Sequence, residues 1–345
     1  MNGIDQIIID FLGRNPLRSS KEIHEGTKLN IGYATVKRML KKLNESNYIE
    51  FEGQGKGTKY RISPAYDVTK PIDLDEYFEK EMDDRKMIES FNFDLMSRIL
   101  PKVELFSGDE LEKLEKLQKR YLENIKTLSD AQYQKELERL AIDLSWKSSQ
   151  LEGNSYSLLE TERLLREKKT AGGKTQEEAF MLLNHKEALD FILEHPGYLD
   201  PIQVNRIEDI HSILVKDLKV ERNIRNHRVG ILGTNYKPLD NEYQIREAMQ
   251  EMCALVNAKQ SVFEKALLLL LLLSYIHAFD DGNKRTSRIV CNACLIQYNH
   301  CPISFRTIDS VEYKKAMLLF YEQNNISAFK SILIDQFEFA VRTYF

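Results

Sequence analysis

The sequence predicts a mainly α-helical protein preceded by one small module of mixed structure. Three observations carry this. Apolar residues recur at helical spacing through most of the 345 residues, as in the Glu/Lys-flanked leucines of residues 111–121. Strand-like signals are confined to two places, residues 48–62 and 225–238. Ala266 and the seven leucines Leu267 to Leu273 form an apolar run too short to span a bilayer, which suits a buried core helix.

Composition sets the frame. With 30% charged and 42% hydrophobic residues, the chain is ordinary for a globular protein and long enough for two or three domains. No basic start followed by a long apolar stretch opens it, so neither a signal peptide nor membrane attachment is expected, and the expected compartment is the cytoplasm. Cys291 and Cys294 have zinc-like spacing, but no second pair accompanies them. Buried structural cysteines are expected.

Residues 1–63 read as a winged helix-turn-helix domain. Helices over 4–12, 20–25 (capped by Ser19 or Ser20) and 34–44 precede two strand-like runs around the glycine-rich segment 53–58. Residues 1–62 hold eleven Lys/Arg and seven Asp/Glu, a balance of +4 in a chain of −4. That favours DNA as a partner, with Thr35, Lys37 and Arg38 in the major groove and Lys56 near the backbone. Residues 64–144 read as a helical connector. One or two helices are expected over 74–100, where Phe78, Met82, Phe91, Leu95 and Ile99 are helically spaced, and further helices over 111–121 and 128–150. From 145 to 345, helices are expected over 161–167, 177–193, 203–215, 242–257, 289–298, 310–324 and 326–344. A β-hairpin is expected over 225–238, around Gly230 and Gly233. Tyr313 and Tyr321 are expected in the core rather than beside a ligand.

Dense polar chemistry follows the leucine run: His277, Phe279, Asp281, Gly282, Asn283, Lys284, Arg285 and Arg288. Asp281-Gly282-Asn283 is turn chemistry, and Asn283 or Asp281 can cap a helix starting near Lys284. A helix N-terminus suits phosphate, and Arg285 and Arg288 lie on one helix face where both reach an anion. Asp281 offers a hard oxygen for Mg²⁺. His277 is able to take a proton near neutral pH.

These residues follow the pattern HxFxDGNxRxxR, which resembles the signature of the Fic (Fido) family. The resemblance implies a helical core with a hairpin flap, and transfer of AMP from ATP to a protein hydroxyl. It further implies that His277 is the general base and Asp281 the Mg²⁺ ligand. Gly282, Asn283 and Arg285 would hold the α- and β-phosphates, and Arg288 the γ-phosphate. Lys284 stands where most members have Gly and counts with the nucleotide-binding residues. The Doc branch, which resembles a kinase, also has Lys there, so γ-phosphate transfer is one alternative. A DNA-binding regulator with a nucleotide-sensing core is another. Residues 148–153, from Ser148 through Glu152, match the family's inhibitory pattern [S/T]xxxE[G/N]; Glu152 would pair with Arg288 within the same chain. Gly230, Ile231, Leu232 and Gly233 would form the flap edge that takes a target backbone as an added strand. The cofactors implied are ATP and Mg²⁺. The partners are a protein carrying a Ser, Thr or Tyr hydroxyl, itself included, and a second copy of the chain in a homodimer.

Overall fold

The computed structural model describes residues 3–345; the side chain of Lys56, expected near a nucleic-acid backbone, lies outside the described residues. The chain begins with helices α1 (Gly3–Arg14), α2 (Ser20–Thr27) and α3 (Tyr33–Glu45). Strands β1 (Ile49–Glu52) and β2 (Lys59–Ile62) follow, paired antiparallel with Ile49 opposite Ile62. Ser19, not Ser20, caps α2, and Glu22 bonds back to complete the capping box. Val36, Leu40 and Leu43 of α3 meet Ile8, Leu12, Ile23 and Ile49 in a core of their own. Lys37 and Arg38 face solvent, as the apolar stripe of α3 requires.

After α4 (Pro64–Thr69) and α5 (Leu74–Phe78), residues 79–107 hold only single turns of helix around Met82, Leu95 and Leu100. Of the one or two helices expected over 74–100, only the short α5 forms. The backbone beyond it finds partners in the rest of the fold instead of four residues away: Ile88 N–H donates to Glu322 (2.7 Å) and Asn92 N–H to the Tyr275 hydroxyl (2.9 Å). Phe91, Leu95 and Met96 are buried all the same. Helical spacing of apolar residues marked what is buried, not how the backbone runs.

Ten longer helices build the rest: α6 (Gly108–Ile125), α7 (Asp130–Gln150), α8 (Leu158–Glu167), α9 (Gln176–Glu194), α10 (Val204–Leu214), α11 (Glu242–Ala258), α12 (Val262–Ile276), α13 (Asn283–Gln297), α14 (Ser310–Gln323) and α15 (Ser327–Thr343). All but α8 share one hydrophobic core, to which Val68 and Phe91 also belong; Leu164 of α8 packs with Tyr156 and with Ala179 and Leu182 of α9 in a smaller cluster. Its centre is α12, buried from Lys265 to Ile276 and lying mainly along α13. Lys265 tolerates this because its ammonium reaches the end of α11, donating to the carbonyls of Val256 (3.0 Å) and Asn257 (3.2 Å). Cys253, Cys291, Cys294 and Cys301 are buried free thiols, and Tyr313 and Tyr321 are buried in the core.

The hairpin expected over 225–238 is a correction. The segment has a turn at Leu232–Gly233 but no strand of its own, only a bridge between Lys237 and Ser90. Its ends are tied to the core rather than to each other. Arg225 N–H donates to Ala278 (3.0 Å), Lys237 N–H to Glu89 (2.8 Å), and the Tyr236 hydroxyl to the Tyr275 carbonyl (3.1 Å). Among the described residues, no helix is long and apolar enough to cross a membrane.

Candidate functional site

The site lies where α12 ends and α13 begins. His277 closes α12 in the left-handed conformation, with φ 54°. This turns the chain out of the core while the His277 N–H still bonds Leu273 (3.2 Å). Asn283 braces the turn: its side chain accepts from Phe279 N–H (2.9 Å) and donates to the Phe279 carbonyl (2.7 Å). It is therefore a brace inside the loop and not the cap anticipated for it, nor is Asp281 the cap. Gly282 occupies the cap position at φ 82°, where a side chain would be strained and would also meet His211 and Val215 at 3.4 Å. With no capping side chain, the first N–H groups of α13 stay open to an anion.

Two residues that the sequence did not single out hold this loop from outside. His211 on α10 stacks flat on Phe279, centroids 3.7 Å apart and planes 7° off parallel. Its Nε2 lies 2.9 Å from the Asp281 carbonyl and its Nδ1 3.3 Å from that of Arg222. Arg225, buried, donates from Nε to the His277 carbonyl (2.7 Å) and from a terminal nitrogen to the His227 carbonyl (2.6 Å). No local pattern could reveal either, since each acts across a long stretch of chain.

The charged groups sort into two sets. Asp281 accepts from Gly282 N–H (2.6 Å) and from Arg285 (2.7 Å) while its side chain remains 57% exposed. Arg285 is fully buried and turned towards Asp281 and the Leu214 carbonyl. Arg288, also fully buried, donates to the Ser148 hydroxyl (2.8 Å), the Ser148 carbonyl (3.0 Å), the Tyr313 hydroxyl (3.1 Å) and Glu152 (2.9 Å). The two arginines thus share a helix but not a partner. Glu152 follows the last turn of α7, where Gly153 reverses the chain at φ 94° and Asn154 pins it to α9 through the Glu178 carbonyl (2.8 Å). Its second oxygen lies 3.2 Å from Lys284. Burial pushes the Glu152 carboxyl up, but Arg288 and Lys284 outweigh that and hold it below the usual carboxylate range.

His277 is different. Burial, then the positive charges of Arg225 and Lys284, push its imidazole down to about 4. Its Nδ1 is buried and meets no hydrogen bond of good geometry among the described residues. A neutral imidazole beside a basic helix start can accept a proton from a hydroxyl. Among the described residues, no cluster of three or more His, Cys, Asp or Glu could cage a metal. Asp281 by itself suits Mg²⁺, which needs one or two protein carboxylates and takes water and phosphate oxygens for the rest. Gly230, Ile231, Leu232 and Gly233 form the turn of the 225–238 loop, with Leu232 83% exposed and Gly233 against Leu318 of α14.

Residues 201–295 match the family model described as the Fic/DOC family. The chain is 26% identical over 182 residues to a protein adenylyltransferase Fic from Nematostella vectensis, which covers 49% of this chain and only 40% of that relative. Among solved structures, Fic-1 (residues 134–508) from C. elegans aligns with TM-score 0.59 at 19% identity, over 68% of this chain and 72% of the other. A Fic domain-containing signalling protein from Bacteroides thetaiotaomicron aligns with TM-score 0.57 at 18% identity, over 67% and 96%. The helical core has the fold of these proteins.

Proposed function

From a chain that carries a Fic/DOC family domain, we propose a protein adenylyltransferase that is held low by its own Glu152. The observation that carries this reading is the pairing of a neutral, half-buried His277 with an uncapped basic helix start. ATP binds with its phosphates at the N-terminus of α13, against Gly282, Asn283, Lys284 and Arg285, and reaches Arg288 when Glu152 withdraws. The target hydroxyl oxygen attacks the α-phosphorus. Its proton passes to His277, and the bond to the β-phosphate oxygen breaks with pyrophosphate leaving. Asp281 would hold Mg²⁺, which supplies charge neutralisation on the phosphates when bound.

Inhibition follows from occupancy. Glu152 and Ser148 take three of the Arg288 donors and Tyr313 a fourth, so a γ-phosphate has no claim on that guanidinium until the end of α7 gives way. Gly230 to Gly233 offer backbone to the target beside the site. We further read residues 1–63 as a winged-helix domain, 64–144 as a connector and 145–345 as the catalytic domain. The exposed Lys37 and Arg38 on α3 support DNA contact by the first.

The test uses wild type, Glu152→Gly and Glu152→Gly/His277→Ala with ATP labelled on the α- or the γ-phosphate. Protein label from the α-position alone is expected, raised by Glu152→Gly and abolished by the added His277→Ala. Label from the γ-position alone would replace AMP transfer by phosphate transfer. Absence of label in every lane, with ATP still bound, would favour a nucleotide sensor.

A further inference from the structure

We propose that Lys284 serves two anions in turn: the Glu152 carboxylate in the resting site, and a nucleotide phosphate once Glu152 leaves. The proposal rests on the nucleotide-binding reading above and extends it to the regulation of that site.

Glu152 divides its two oxygens between two cations. One lies 2.9 Å from Arg288 and the other 3.2 Å from Lys284. The carboxylate thereby bridges two positive groups on one helix end, as two oxygens of a phosphate would. The two cations depend on it very differently. Arg288 keeps Ser148 and Tyr313 if Glu152 goes. For Lys284, Glu152 is the one ion-pair partner among the described residues, since Asp281 is turned to Arg285. Lys284 is moreover the second residue of α13, where the helix dipole places positive charge and a cation is unfavourable without an anion beside it. Its side chain is flexible and 29% exposed, so the ammonium can follow an anion that Arg288, locked in the core, must wait for.

A residue with both roles leaves a distinctive trace. Replacing it removes a phosphate contact and at the same time removes a restraint on Glu152. With Glu152 present the two effects oppose each other; without Glu152 only the loss remains. Wild type, Lys284→Met, Glu152→Gly and the double variant are compared for binding of a fluorescent ATP analogue with Mg²⁺, by anisotropy, with Lys284→Arg in both backgrounds as the charge-keeping control. In the Glu152→Gly background, Lys284→Met should weaken binding about threefold to fivefold, the upper range of a partly exposed ion pair, and Lys284→Arg should restore most of it. With Glu152 in place, Lys284→Met should change affinity by no more than about twofold. Equal losses in both backgrounds would overturn the hold on Glu152. No loss in the Glu152→Gly background would overturn the phosphate contact. Failure of Glu152→Gly to bind the analogue at all would overturn this proposal and the nucleotide site together. If binding follows the expected cycle while labelled ATP transfers nothing, AMP transfer falls and the role of Lys284 stands.

Discussion

His277 is neutral because of what surrounds it. Burial with Arg225 and Lys284 holds its folded value near 4, whereas an unfolded chain would protonate near 6.5. The acid limb of kcat/KM for the Glu152→Gly enzyme should therefore fall well below pH 6, where an ordinary histidine base would already be lost. Stability carries the same sign. Between about 6.5 and 4 the unfolded state binds a proton that the folded state refuses, so stability falls as pH falls through that window. Denaturant titrations of wild type and His277→Gln across it should show a shallower slope for the variant, by up to about 1.4 kcal/mol per pH unit. The arrangement of this site was legible in the sequence where it is local, since His277 to Arg288 fall within one turn and one helix. Its supports were not. His211 and Arg225 reach the loop from 70 and 52 residues away, and neither residue belongs to any spacing that could betray it.

The start of α13 goes without a capping side chain, which the proposed phosphate site would use. At a cap of ordinary backbone geometry a serine or aspartate would stabilise the helix over glycine by only about a few tenths of a kcal/mol, and it would occupy the N–H groups that an anion needs. Gly282, at a positive φ and without a side chain, leaves them open. Gly282→Ala should cost about 1 kcal/mol in thermal or denaturant stability, from the left-handed backbone, and much more in ATP binding than in folding, because His211 at 3.4 Å opposes relaxation of the loop. His211→Ala should retain the fold but loosen the Asp281 carbonyl, lowering transfer without altering α10. Two other segments depart from their sequence patterns for a common reason. The segments 79–100 and 225–238 carry helix-like and strand-like patterns, yet their backbones bond to Glu322, Tyr275, Ala278 and one another. Periodicity reports which side chains are buried; it cannot report that a backbone has found tertiary partners.

At the scale of the molecule, the 225–238 loop is fastened to the core through a charge that has no access to water. Arg85 donates to the Gly233 carbonyl (2.9 Å) and pairs with Glu322 of α14 (3.3 Å), both side chains being buried, while Tyr77 bonds the other Glu322 oxygen (2.8 Å). Arg85→Ala would strand a buried carboxylate and should cost about 3–5 kcal/mol of unfolding free energy; Arg85→Met with Glu322→Gln should recover a large part of it while leaving the loop unfastened. The separation of the core around Val36 and Leu40 from the larger one around α12 also predicts that heat unfolding is not a single transition, which calorimetric and van't Hoff enthalpies would reveal by disagreeing. The leucine helix itself has a bearing on how the protein comes into being. Leu267 to Leu273 are hidden on every side, and the principal neighbour that hides them, α13, follows them in the chain. On the ribosome this greasy stretch therefore emerges before its cover has been made, with α14 and α15 later still. Nascent chains halted near residue 280 should be bound by chaperones and prone to clumping, and those extended past α15 should not.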